Sequence, residues 1–188
     1  PTVTFTPGAA DPTQSTVTVA STSVGVGANV AVDVQLKDAN GNALTSGGAT
    51  VVIASTGSGE ISGDTDDGDG TYSANLTNDA EEVVTISATL SGVAITGVAD
   101  PTVTFLGPEI EVSESGATAV SGTTYAFADV DATDTTSSSS VTFTINNTGA
   151  ADLTLSNLTF TEVQPQQNGS TGAFSDSGST FPDTVPAE

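Results

Sequence analysis

Acidic side chains are concentrated in the segment Asp64-Thr-Asp-Asp-Gly-Asp-Gly70, where Asp64, Asp66, Asp67 and Asp69 could act together. Hard cations such as Ca²⁺ bind several carboxylate and carbonyl oxygens on a flexible loop, and this segment could supply them. The spacing differs from that of an EF-hand loop, because Gly68 stands where a third carboxylate belongs and no bidentate glutamate follows. The alternative is a hairpin turn in which Gly68 and Gly70 adopt positive φ. The sequence leaves both interpretations open.

A second acidic cluster consists of Asp129, Asp131 and Asp134, just before the polar run 135–140. Asp129 and Asp131 would share one face of a strand, and a bound cation would relieve their mutual repulsion. A solvated acidic loop is the alternative. Ca²⁺ is therefore the candidate cofactor at either cluster, and the sequence indicates no other. The segment Asp38-Ala-Asn-Gly-Asn42 is also acidic and glycine-containing, but it is interpreted as a hairpin connection.

The residue types needed for catalysis are scarce. The chain has no His, so a serine nucleophile lacks its usual general base, and it has no Cys, which excludes disulfides and thiolate metal sites. Lys37, the single basic residue, follows a predicted strand beside a turn, whereas a catalytic amine needs burial and a shifted pKa. Pairs of carboxylates are uninformative in a chain with 23 acidic residues. We predict that this protein is not an enzyme.

The charge balance restricts the partners. A formal net charge of −22 repels nucleic acid and anionic lipid and attracts cations. An apolar content of 36%, placed regularly, together with the β-branched residues Val, Ile and Thr, favours a folded sheet protein over a disordered chain. No apolar run is long enough to span a membrane, so direct membrane insertion is not expected. Such a surface suits an extracellular, saline environment.

Alternating apolar residues predict strands that bury one face. Val30, Val32, Val34 and Leu36 share one face of the first such segment. The second segment places Val84, Ile86, Ala88 and Leu90 together in the same way. Further strands are predicted at 15–20, 50–54, 70–76, 93–97 and 102–105. Short strands separated by Asn-Gly, Gly-Gly and Asp-Gly turns predict an all-β fold of two tandem antiparallel immunoglobulin-like (Ig-like) β-sandwiches, the second incomplete.

A repeated pentapeptide sets the domain boundaries. Pro1, Thr2, Val3, Thr4 and Phe5 recur as residues 101–105, an offset of one hundred residues that matches one sandwich domain. Residues 1–5 are therefore predicted to be the last strand of a preceding domain, or a strand donated to one. Residues 6–14 are predicted to be a linker, 15–105 a complete domain and 106–188 a partial second domain. We expect the chain to be a part of a longer modular protein.

The first domain resembles the invasin/intimin-type bacterial Ig-like repeats. The resemblance is carried by Leu36-Lys-Asp-Ala-Asn-Gly-Asn42, Asp69-Gly-Thr-Tyr-Ser-Ala74, Ile86-Ser-Ala-Thr-Leu-Ser-Gly92 and the closing Val103-Thr-Phe105. It covers residues 13–105, and the order and spacing of the segments are more specific than any one of them. The resemblance implies a stalk segment of an adhesin that holds a binding tip away from the membrane and has no catalytic residues.

The second domain resembles Hydin-like, or choice-of-anchor D, Ig-like domains of bacterial surface proteins. The residues that carry this resemblance are Pro108-Glu-Ile-Glu-Val112, Tyr125-Ala-Phe-Ala-Asp-Val130, Phe143-Thr-Ile-Asn-Asn-Thr-Gly149 and Ala151-Asp-Leu-Thr-Leu155. The family has Gly where Ala128 stands. It also continues with further strands, and so the second domain is predicted to be partial.

Three functions follow from these observations. The first is a non-catalytic structural segment of a large extracellular protein on the bacterial surface, an adhesin stalk whose partners are neighbouring Ig-like domains of the same chain. The second is a subunit of an extracellular filament or sheath, in which residues 1–5 complete a domain of an identical subunit by strand complementation. The third is a Ca²⁺- or glycan-binding module that works through the acidic loops.

Overall fold

The described part of the chain is all-β, as the sequence predicts. The computed structural model describes residues 6–114, 143–155 and 184–187, and every regular element in them is a strand. The chain divides into two units, Pro1–Gly107 and Pro108–Glu188. Each unit is described by itself below.

The first unit is a sandwich of two sheets. Its strands are β1 (Thr16–Val19), β2 (Ser23–Gly25), β3 (Val30–Gln35), β4 (Val51–Ser55), β5 (Glu60–Asp66), β6 (Thr71–Thr77), β7 (Glu82–Leu90), β8 (Val93–Ala94) and β9 (Thr102–Leu106). One sheet has the order β1-β3-β6-β5. The other has the order β2-β9-β7-β4, with β8 paired to the end of β7. This is the strand arrangement of an Ig-like sandwich.

The core lies between the two sheets and uses the faces that the alternation predicts. Val30, Val32, Val34 and Leu36 are all buried, whereas Ala31 and Asp33 between them are exposed. The inward-facing residues of β7 are also buried: Val84, Ile86, Ala88 and Leu90. Phe105 is the largest fully buried side chain, and it lies near the end of the final strand of the unit. Burial of β-branched and aliphatic side chains on both inner faces therefore holds the sheets together.

The N-terminal part of the sandwich changes sheets between β1 and β2. β1 pairs antiparallel with β3 in the first sheet. β2 pairs parallel with β9 in the second sheet, over three residue pairs from Ser23↔Thr104 to Gly25↔Leu106. The other strand pairs of this unit are antiparallel. β2 comes first along the chain in this sheet and β9 comes last, and the two are therefore direct neighbours.

Two strands, β2 and β5, were not predicted from the alternation of apolar residues. β2 has only three residues, too few to show a period. β5 has no buried face, because Ile61 is half-buried and all its other residues are exposed. Its pairing with β6 shifts in register between Ser62 and Thr65. A strand at the edge of a sheet with a bulge needs no alternating apolar pattern. Asp64 and Asp66, expected in a loop, therefore lie on a strand.

The described residues of the second unit form two small antiparallel sheets. β10 (Ile110–Glu114) pairs with β11 (Phe143–Asn147), and β12 (Leu153–Thr154) pairs with β13 (Thr184–Val185). The side chain of buried Asn147 connects the two sheets. Its Oδ1 accepts the Glu109 N–H at 3.1 Å, and its Nδ2 donates to the carbonyl oxygens of Ala151 and Val185 at 2.7 and 3.0 Å. The predicted strand around Tyr125 and Phe127 lies outside the described residues.

Candidate functional site

The candidate cation site is a hairpin at one edge of the sandwich, which we name the acidic hairpin (residues 64–70). Asp64 and Asp66 lie in the last three residues of β5, and Asp67 and Asp69 lie in the turn that leads to β6. All four carboxylates belong to exposed residues. Gly68 and Gly70 have φ of 81° and 93°, as the turn interpretation predicts.

Three of these aspartates accept hydrogen bonds from groups near the turn. Asp66 accepts the backbone N–H of Gly48 at 2.6 Å and that of Gly68 at 2.9 Å. Asp69 accepts the N–H of Thr71 at 3.0 Å and also its hydroxyl. Asp67 accepts the Ser73 hydroxyl at 3.1 Å, and the Thr71 hydroxyl also lies 3.3 Å from its Oδ2. These carboxylates thus stabilise the turn and its contact with Gly48.

These hydrogen bonds favour the charged carboxylates. The N–H of Gly48, with that of Gly68, lowers the pKa of Asp66. The hydroxyl and N–H of Thr71 lower the pKa of Asp69. Beside them the buried Tyr72 hydroxyl donates to the Ala49 carbonyl at 3.0 Å and accepts the Ala49 N–H at 2.9 Å. Burial raises the pKa of Tyr72, and so the phenol stays neutral beside the carboxylates.

The described residues contain no group of three or more acidic, His or Cys side chains placed to hold a metal ion. Ca²⁺ binding by the acidic hairpin stays a prediction. The second predicted cluster, Asp129, Asp131 and Asp134, lies outside the described residues, and so does the predicted assembly strand 1–5.

A different aspartate organises one end of the sandwich. Asp38 is only 3% exposed. Its Oδ1 accepts the N–H groups of Asn40 and Asn42, each at 2.9 Å, and its Oδ2 accepts the Gly8 N–H at 3.0 Å and the Asn42 amide at 3.0 Å. The Asn42 amide, followed by the Gly8 and Asn42 N–H groups, lowers the pKa of Asp38 to about 2.

The N-terminal segment is tied to this same end. The Asp11 N–H donates to the Lys37 carbonyl at 2.7 Å, and the Thr96 N–H donates to the Pro12 carbonyl at 2.8 Å. Fully buried Ser15 donates its hydroxyl to the Asp11 carbonyl and accepts the Lys37 N–H at 3.0 Å. Much of the segment 6–14, interpreted from the sequence as a linker, is therefore hydrogen-bonded to the sandwich. We call residues 8–15 the N-terminal strap.

The opposite end of the sandwich has its own polar network. Asn78, only 2% exposed, donates from its amide to Glu82 Oε1 at 2.8 Å and accepts the Ala80 N–H at 2.9 Å. Glu82 Oε1 also accepts the Ser58 N–H at 2.7 Å. The Ser58 hydroxyl and N–H, with the Asn78 amide, lower the pKa of Glu82. No sequence motif marks these three residues, because Ser58 lies 20 residues from Asn78 and 24 from Glu82 along the chain.

The chain enters the first unit at one of these ends and leaves at the other. The strap contacts Asp38 and Lys37, which follow the last residues of β3. β9 pairs with β7 from Thr102↔Thr85 to Phe105↔Glu82, so it runs toward the Glu82 end. There the Leu106 carbonyl accepts the Val26 N–H at 2.9 Å. The two ends of the unit are thus separated by the length of the strands.

Comparison with protein families matches the first unit. The family model described as "Invasin, domain 3" matches residues 11–107, more than half of the chain. This chain belongs to the invasin domain 3 family. The matched range contains the strap from Asp11 onward and all nine strands of the sandwich. The predicted resemblance to invasin-type Ig-like repeats is confirmed, whereas the resemblance of the second unit to Hydin-like domains stays a prediction.

Three similar solved structures come from bacterial proteins. Invasin, a bacterial integrin-binding protein, is 28% identical with a TM-score of 0.48, and the match covers 59% of this chain and 24% of that chain. FdeC, an Escherichia coli adhesin, is 27% identical with a TM-score of 0.48, over 60% of this chain and 37% of that one. The Yersinia pseudotuberculosis adhesin InvE is 22% identical with a TM-score of 0.47, over 56% and 30%.

This invasin-family chain therefore spans between 24% and 37% of the length of these three structures. No curated protein matches it. No helix that could cross a bilayer occurs in the described residues.

Proposed function

We propose that this chain is a non-catalytic structural segment of a large extracellular bacterial surface protein, acting as part of an adhesin stalk. The observation that carries the proposal is the placement of the two ends of the first unit. The N-terminal strap joins the sandwich at the Asp38 end, and β9 leaves it at the Glu82 end. A domain joined at opposite ends adds its length to the chain of domains in which it stands.

Two further properties support a spacer. Each end is closed by buried polar residues whose partners come from the domain itself, Asp38 and Ser15 at one end and Asn78 at the other. The net charge of −22 repels neighbouring copies of such a stalk and keeps them apart. Membership of the invasin domain 3 family supports a place on the bacterial surface. Neighbouring domains of the same polypeptide are the expected partners.

The test places one, two or three copies of the 188-residue chain between an outer-membrane anchor and an epitope tip, and measures the height of the epitope above the membrane by electron cryotomography. We expect an equal increment for each added copy. Gly/Ser linkers with the same numbers of residues are the control, because their mean span grows only with about the square root of length. Square-root growth for the protein copies would contradict a stalk.

The filament alternative depends on residues 1–5, which lie outside the described residues. In that proposal an identical subunit receives this strand and completes its own sheet. Deletion of residues 1–5 then abolishes assembly of the purified chain, while the first unit stays folded. Assembly that persists after the deletion would exclude strand complementation by this segment.

A further inference from the structure

The parallel pair β2–β9 joins the two parts of the first unit that would receive tension. β2 belongs to the N-terminal part of the unit, which begins at the strap, and β9 is its last strand. Ser23, Val24 and Gly25 stand opposite Thr104, Phe105 and Leu106. A hydrogen bond lies at each end of the pair. The Thr104 N–H donates to the Thr22 carbonyl at 2.9 Å, and the Val26 N–H donates to the Leu106 carbonyl at 2.9 Å.

The direction of pull on these strands follows from the fold. β1 and β2 run from the Asp38 end toward the Glu82 end, and β9 runs the same way. Tension on the strap pulls β2 back toward the Asp38 end, while tension after Leu106 pulls β9 out at the Glu82 end. Two parallel strands pulled in opposite directions along their axes slide past each other, so their hydrogen bonds are strained together rather than one at a time.

We propose that the β2–β9 pair is a mechanical clamp that sets the force at which the first unit unfolds when it is pulled through its two ends. The inference rests on the proposed function, since only a stalk segment receives tension at both ends. The neighbouring pairs reinforce the clamp. β9 is also held by β7 over four residue pairs, and β1 is held by β3 over four.

The turn after β2 offers a substitution directed at the clamp. The Ala28 N–H donates to the Gly25 carbonyl at 3.1 Å, Gly27 has φ of 76°, and Val26 does not have positive φ. This is the pattern of a type II turn, whose second position accepts proline. Val26→Pro therefore fits the turn and removes the N–H that donates to Leu106, and it also changes a half-buried side chain that packs against the core.

A matched control lies at the same position. Val26→Ala keeps the N–H that donates to Leu106 and shortens the same half-buried side chain, which packs against the core. The effect of Val26→Pro beyond that of Val26→Ala therefore reports on the loss of this donor.

The experiment is single-molecule force spectroscopy on the full chain. The chain has no Cys, so two introduced cysteines define the pulling points. Thr6→Cys with Pro108→Cys loads the first unit through its own ends and leaves the second unit outside the path of force. Thr22→Cys with Asp100→Cys, at two exposed sites near the starts of β2 and β9, peels the pair from one side.

We expect an unfolding force several-fold higher for the first pair of handles than for the second. Val26→Pro lowers the force between Thr6→Cys and Pro108→Cys more than Val26→Ala does, with the urea midpoint of both variants measured in parallel. Equal forces in the two directions, or equal effects of the two substitutions at Val26, would overturn the clamp. These outcomes are separate from the height assay, so a failed clamp leaves the stalk proposal standing, and a failed stalk leaves a measured clamp.

Discussion

The Asp38 loop and the acidic hairpin look alike in sequence but differ in the structure. Both combine Asp with Gly, and the hairpin has the higher density of carboxylates. Asp38 is 3% exposed and accepts five hydrogen bonds, including one from Gly8, thirty residues away along the chain. The carboxylates of the hairpin are all on exposed residues, and they bond mainly to their own turn.

Burial, and not the local number of charges, therefore decides which aspartate holds this domain together. A buried carboxylate must find partners for its oxygens, so it organises the backbone around it. An exposed cluster is solvated and screened, and each member contributes little. The part of the acidic hairpin on which the sandwich depends is Gly70, which is buried.

Two alanine substitutions inside the hairpin should therefore have very different effects. Gly70→Ala places a Cβ against the Leu44 carbonyl at a φ of 93°, whereas Gly68→Ala meets no atom within 4 Å at a φ of 81°. We expect a loss of about 3 kcal/mol or more for Gly70→Ala and about 1 kcal/mol for Gly68→Ala. Equal losses would show that the close approach of Gly70 to Leu44 is unimportant.

The measurement is urea denaturation followed by tyrosine fluorescence. The chain has two Tyr and no Trp, so a Tyr125→Phe background leaves Tyr72 as the only strong fluorophore. Tyr72 is 5% exposed in the core of the first unit, and its signal therefore reports on that unit. The same background serves the stability measurements that follow.

Removal of the Asp38 carboxylate should cost more than removal of any aspartate of the hairpin. Asp38→Ala leaves the N–H groups of Gly8, Asn40 and Asn42 without their acceptor. Asp69 accepts two hydrogen bonds, both from Thr71. The drop in free energy of unfolding should be about twice as large for Asp38→Ala as for Asp69→Ala. A larger drop for Asp69→Ala would reverse the comparison.

The sequence predicted the fold better than it predicted which loops stabilise the first unit. Strong alternation in β3 and β7 identified the buried faces from the sequence, because one rule of period governs each whole strand. The strap could not be recognised, because its contacts to Lys37 and Thr96 join segments distant in sequence. The one local signal was the Asp-x-Asn-Gly-Asn pattern at Asp38, which predicts a turn but not its burial.

The dependence of stability on pH should distinguish the Asp38 loop from the acidic hairpin. The folded pKa of Asp38 is about 2, below its ordinary value of 3.8. The unfolded state therefore binds more protons as pH falls through 3.8, and the stability that Asp38 contributes is present above that pH and lost toward pH 2. Asp38→Asn should flatten the fall of the unfolding midpoint in this window more than Asp69→Asn does. The same slope in both variants would exclude Asp38 as the main acid-sensitive group.

The smallest expected effect is that of calcium. The carboxylates of the acidic hairpin are exposed, and those of Asp66, Asp67 and Asp69 already accept hydrogen bonds. We therefore expect Ca²⁺ to raise the melting temperature of the parent chain and of the Asp64→Asn/Asp67→Asn variant equally, by screening. Binding of an ion to the folded state alone would instead give the parent chain an additional, saturating rise. That result would establish the predicted Ca²⁺ site.

The stalk proposal is tested most directly on the native material. Electron microscopy of the cell surface, paired with mass spectrometry of the intact polypeptide, gives both the form of the assembly and the length of its subunit. We expect a single polypeptide many times longer than 188 residues that extends from the cell as a chain of domains. Regular filaments built from subunits of about this length would contradict it.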